Sequence, residues 1–132
     1  MAIDSREMNR RLIKLSESPT SRFWRLDYQE LSPPERVFLL VWELESEVNN
    51  GGFQQYFHNS SGAHAPEVAA ALNTIGAPAT AHIAQRALDA VTGTVTNWPD
   101  DIDRQARVAR LSPQVRQTLD ELDREYYNVP KI

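Results

Sequence analysis

The residue types in this sequence that could do chemistry are three histidines and a group of carboxylates near its middle. His58 and His64 flank the turn Asn59-Ser60-Ser61-Gly62, and His82 follows further on. With Glu43 or Glu47 they could complete a nitrogen and oxygen metal site if the fold gathered them. A second grouping is Glu45 or Glu47 with Gln55, Tyr56 and His58, the side chains that acid–base hydrolysis uses. Neither grouping has the spacing of an established apparatus. The chain carries no phosphate-binding loop, no dinucleotide fingerprint, no nucleophile elbow and no paired-histidine zinc helix. It has no cysteine, which excludes disulfides, thiolate catalysis and zinc-thiolate sites. The residues thus assign no catalytic group, no metal and no cofactor. A small hydrolase or metal-dependent enzyme at the Glu45 to His58 corner stands as the alternative to a binding protein.

The element that must position these residues begins at Ser32. Ser32 and Glu35 form a capping box, and Pro33 occupies the first helical position, where no donor is needed. At roughly 100° per residue, Val37, Val41, Leu44 and Val48 fall on one stripe, with Phe38 and Leu40 beside it. Asn50-Gly51-Gly52 then predicts a helix end, because Asn and Gly tolerate the left-handed conformation. Phe53 to His58 reads as a second short helix, with Asn59 to Gly62 as its exit. Glu45 lies only about 40° from the apolar stripe by the same geometry, so it must be paired. Glu45, Asn50 and Gln55 are expected to fasten a tight corner between the two helices.

The rest of the chain reads as further helices. Asp4 with Glu7 predicts a cap for a first helix to about Ser16, whose Arg6, Arg10, Arg11 and Lys14 form a solvated face. Phe23, Trp24, Leu26, Tyr28 and Leu31 supply large apolar groups for the central helix to pack against. Pro66 and Gly76 delimit one helix and Pro78 and Gly93 the next. Asp100, Asp101 and Asp103 precede Arg104, Arg107 and Arg110, the order the helix dipole favours. Ser112-Pro113 opens a last helix with Val115, Leu119, Leu122 and Tyr126 on its apolar side. No stretch alternates with period two. The reading is a single all-α domain over residues 1–132, a compact orthogonal bundle of six or seven helices.

Charge and hydropathy narrow the function classes. The 132 residues carry 14 basic and 18 acidic side chains, net −4, with no basic tail, which disfavours direct nucleic-acid binding. The longest apolar run, Val37 to Trp42, is far short of the roughly 20 residues that span a bilayer. No export signal opens the sequence, so a cytoplasmic location is expected. On the last helix, Asp120, Glu121, Asp123 and Glu125 crowd the end where the dipole favours cations. Glu121 with Glu125, and Glu43 with Glu47, are like-charge pairs one turn apart. These are the positions where local consistency fails and function is to be sought.

Glu47-x-x-Asn50-Gly51-Gly52-Phe53-x-Gln55-Tyr56-Phe57-x-Asn59-x-Ser61-Gly62, with Ile75-Gly76-Ala77 and a Leu119, Leu122, Asp123, Tyr126-Tyr127 ending, resembles a bacterial domain-of-unknown-function family. Its best-known member is a DNA-mimic protein. The resemblance extends over about residues 28–127, leaving 1–27 as an N-terminal helical extension. It implies an all-helical fold, a homodimer, and surface carboxylates that imitate phosphates to occupy a transcriptional repressor. The corner of Glu45, Glu47, Asn50, Gly51, Gly52, Phe53, Gln55, Tyr56, Phe57, Asn59, Ser61 and Gly62 is expected to be structural. Partner binding then falls to an acidic face of Glu43, Glu47, Asp120, Glu121, Asp123 and Glu125, directed at a basic DNA-binding regulator. A blander alternative is a homodimerising module whose apolar surface, around Trp24 or Trp98, is covered by its own copy.

Overall fold

A computed structural model describes residues 28–93 and 98–129. Within them a 3-10 turn, Tyr28–Glu30, leads into α1 (Pro33–His58), and a second 3-10 turn, Ser60–His64, leads into α2 (Ala65–Thr74). There follow α3 (Pro78–Thr92), α4 (Asp101–Ala109) and α5 (Pro113–Asn128). The all-α class therefore holds, with five α-helices among the described residues in place of the expected six or seven. The helix expected before Ser16 and the apolar segment Phe23 to Leu26 lie outside the described residues. The other difference has a physical cause. Gly51 and Gly52 leave helical geometry, yet helical hydrogen bonding resumes at once on both sides, so the two expected helices form one kinked helix.

Helix starts follow the capping chemistry. The Ser32 hydroxyl accepts from the Glu35 amide, and Glu35 in return accepts from the Ser32 amide at 2.8 Å. Asp100 accepts from the Asp103 amide to start α4, and Ser112 from the Val115 amide to start α5. Proline opens α1, α3 and α5, each at a position whose amide has no helical partner.

The core forms around α1. Leu40, Val41, Leu44 and Val48 are buried on its first half and Phe53, Tyr56 and Phe57 on its second. α2, α4 and α5 all pack on α1, while α3 bridges α2 and α5. Leu119, Leu122 and Tyr126 carry α5 into this core, and the Tyr126 ring meets Phe53 edge-on at 5.8 Å. Val37 and Phe38 are only partly covered, so the buried stripe begins a turn later than the sequence suggests. No described helix is long and apolar enough to cross a membrane.

Candidate partner-binding face and its anchoring corner

The signature residues meet where α1 kinks. Gly52 has φ 78° and ψ −177°, a conformation open to glycine, and it lets the backbone turn under α5. A Cβ added there would sit 2.4 Å from Asp123 Oδ2. That closeness has a purpose in the fold. The Phe53 amide, the first of the resumed helix, donates to Asp123 Oδ1 at 2.8 Å, so an acid 70 residues away acts as the cap that the kink removed. The Tyr127 hydroxyl donates to the Val48 carbonyl at 2.7 Å just before the kink. α5 thereby clamps both sides of the bend.

Glu47 fastens the inside of the corner. Its Oε2 accepts from Gln55 Nε2 at 2.9 Å and from Asn59 Nδ2 at 2.8 Å. The expected trio of Glu45, Asn50 and Gln55 is thus corrected to Glu47, Gln55 and Asn59. Asn50 is exposed, and Glu45 accepts from Asn49 and lies beside the buried Tyr126 hydroxyl. The kink shifts Gln55 and Asn59 round the axis relative to the residues before it, which brings them to Glu47 rather than to Glu45. Burial, and then the neighbouring Glu45, push the Tyr126 phenol far upward.

Arg104 is the residue that sequence reasoning missed. It is 0% exposed, and its guanidinium donates to the Phe57 carbonyl at 2.8 Å and the Asn59 carbonyl at 3.0 Å. These are carbonyls at the end of α1, which a helix leaves without partners. A signal was present, since α4 has a single buried apolar side chain, Val108, and Arg104 lies one turn before it on the same face. Arg107 likewise turns back, donating to the Val91 and Thr92 carbonyls at the end of α3. Arg104 from the interior and Arg107 from its edge thus brace the ends of two helices.

The six acids of the expected binding face have different surroundings. Glu47 and Asp123 hold the corner. Burial raises the Asp123 carboxyl, against the lowering effect of the Phe53 amide. Glu43 pairs with His64 Nδ1 at 2.9 Å, and this hydrogen bond raises the imidazole pKa despite partial burial. His64 also stacks on Tyr28, ring centres 4.2 Å apart. Glu125 forms an exposed ion pair with Arg86 at 2.8 Å. Asp120 and Glu121 project outward from α5, Glu121 accepting only a long 3.4 Å bond from Gln117.

The hydrolase grouping is not drawn into one site. Tyr56 is 1% exposed, its phenol pushed far up by burial, whereas His58 is exposed beside Asn59. Glu45 points toward Tyr126 rather than to either. Among the described residues no group of three histidine, aspartate or glutamate side chains could hold a metal ion. Trp98 is half-buried, packs its ring on Phe57 and donates from Nε1 to the Gly62 carbonyl at 2.7 Å, which fixes it to the corner. Trp24 lies outside the described residues.

Comparison with known proteins gives one match. A family model described as DMP19-like protein covers residues 29–132, including the whole of the corner and α5. No curated protein and no solved structure matches the chain.

Proposed function

We propose, from the premise that this chain belongs to the DMP19-like protein family, that it is a non-enzymatic DNA mimic whose acidic helical face engages a DNA-binding regulator. The observation that carries the reading is the exposure of two adjacent carboxylates on α5 while Arg104 and Arg107 are turned inward. Asp120 and Glu121 stand exposed on α5, with the Glu125 and Arg86 pair one turn on. Arg104 and Arg107 meanwhile direct their guanidinium groups at backbone carbonyls. A basic partner approaching α5 meets Asp120 and Glu121 between the exposed Arg116 and Arg124, so the face offers its carboxylates within a mixed stripe. Complementary charge of this kind raises association rates and selects partners more than it deepens affinity.

In this reading Glu47 and Asp123 serve the face indirectly, by fixing α5 against the bend. Glu43 belongs to a different side of α1, held by His64. The test is capture of partners from native cytoplasm at low and high salt, with an Asp120→Lys, Glu121→Lys variant as control. A DNA-binding protein should be retained by the natural chain, released by salt or by added DNA, and lost in the variant. Retention unaffected by both charge reversals would remove the mimicry reading. Molar mass measured on the same sample tests the homodimer that we also propose for the family fold.

A further inference from the structure

An open cleft of about 880 Å³ lies away from α5, between the first 3-10 turn, the start of α2 and the segment that enters α4. Its walls include Tyr28, His64, Glu67, Trp98 and Asp100. The walls are held in place before anything binds. The Tyr28 hydroxyl donates to Glu67 Oε2 at 2.9 Å, and the Tyr28 ring stacks on His64, itself anchored by Glu43. Opposite, the Trp98 indole is tied to the Gly62 carbonyl and wedged on Phe57.

The chemistry of these walls selects a planar cation. Glu67 and Asp100 supply carboxylates, and no lysine or arginine is among the described lining residues. His64 is paired with Glu43, and the chain's own Arg36 lies over the Tyr28 ring and donates to the Tyr28 and Gln29 carbonyls, so the aromatic surface left to a ligand is that of Trp98. Each carboxylate has lone pairs in hand: Glu67 accepts one hydrogen bond from Tyr28, and Asp100 one from the Asp103 amide. The Trp98 ring beside two carboxylates suits a guanidinium, which stacks flat and bonds through a fork, better than the compact, strongly hydrated ammonium of lysine.

We infer that this cleft receives an arginine side chain presented by the protein partner. The inference builds on the protein-binding reading above and adds a second contact, with its own residues, on a different side of the molecule. It implies that recognition has one broad electrostatic part at α5 and one shape-selective part here.

The test follows the assigned indole signal of Trp98 in two-dimensional NMR of the full chain, identified with Trp98→Phe. The probes are a blocked Gly-Arg-Gly peptide amide and its citrulline counterpart, which has nearly the same shape without the charge. The arginine peptide should shift the Trp98 indole and the Ala63 and Glu67 amides saturably, and the citrulline peptide should not. Glu67→Gln with Asp100→Asn keeps both the Tyr28 acceptor and the helix cap, so the fold persists while the charge goes. That variant should bind the arginine peptide about tenfold more weakly, as expected on losing charge-assisted hydrogen bonds. Its Leu119 amide signal should stay in place. No saturable shift, an equal response to citrulline, or undiminished binding by the variant would each overturn the site. Asp120→Lys, Glu121→Lys should leave the peptide response intact, which separates failure at the cleft from failure of the mimicry reading.

Discussion

Replacing Gly52 by alanine should destabilise the fold strongly. The cost has two parts that the geometry keeps apart. Holding a non-glycine residue at φ 78°, ψ −177° costs about 1–3 kcal/mol in backbone strain. The new Cβ also falls 2.4 Å from Asp123 Oδ2, so the carboxylate must leave and the Phe53 amide loses its acceptor. Loss of a hydrogen bond to a charged group adds about 1.5–3 kcal/mol. The sum, about 2.5–6 kcal/mol, is a large part of the roughly 5–15 kcal/mol that holds a domain folded. Urea unfolding of Gly52→Ala, Asp123→Ala and the double variant would resolve the two parts. In the Asp123→Ala background Gly52→Ala should cost only the backbone part, so the cycle should show coupling of about 1.5–3 kcal/mol. A Gly52→Ala loss under about 1 kcal/mol, below the least backbone cost, would refute the account of the corner. Asp123→Asn gives the opposite expectation. Burial raises the Asp123 pKa, so the folded state disfavours its charge, and an uncharged acceptor should hold Phe53 with little or no loss.

Arg104→Lys should destabilise by about 3–5 kcal/mol in the same unfolding assay, because a lone ammonium replaces a fork inside the core. Glu47→Ala should cost about 2–3 kcal/mol by stranding the Gln55 and Asn59 amides, and Glu47→Gln less. The His64 pKa is raised in the fold, so the stabilisation from Glu43 is fully present below the unfolded value near 6.5 and fades as pH rises through the raised one. Comparing the stability of the natural chain and Glu43→Gln across that window should show a difference of about 0.2–1 kcal/mol at the acid end, limited by solvent screening. A flat difference across pH would argue against a charged pair.

How far the sequence could be read depended on how local each interaction was. The Ser32 and Glu35 box, the Asp100 and Ser112 caps and the last-helix stripe of Leu119, Leu122 and Tyr126 are written within a few residues, and the structure has all of them. The bend at Gly51-Gly52 was also legible, though not its continuity. What failed was phase. Counting roughly 100° per residue places Glu45 near the apolar stripe, and it does lie beside the buried Tyr126, but Gln55 and Asn59 come after a break in that count and meet Glu47 instead. Asp123 and Arg104 were read as surface charges because their partners, the Phe53 amide and the Phe57 and Asn59 carbonyls, are backbone atoms 45 or more residues away. Backbone groups leave no mark in a sequence to pair with a distant side chain.

The reach of Arg104 also bears on the order in which the chain assembles. The Asn59 carbonyl accepts locally from the Gly62 amide, but the Phe57 carbonyl gains its Arg104 donor only when a segment 47 residues later arrives. Contacts of α1 with α2, and of α2 with α3, join neighbours in the chain and close short loops at small entropic expense. A nucleus built from those three helices would form first, with the far end of α1 still fraying. Docking of α4 and α5 would then arrest that fraying, one through Arg104 and the other through Asp123. The bend carrying the family signature would accordingly be among the last parts of the molecule to set, and weakening either brace would quicken unfolding more than it slows folding.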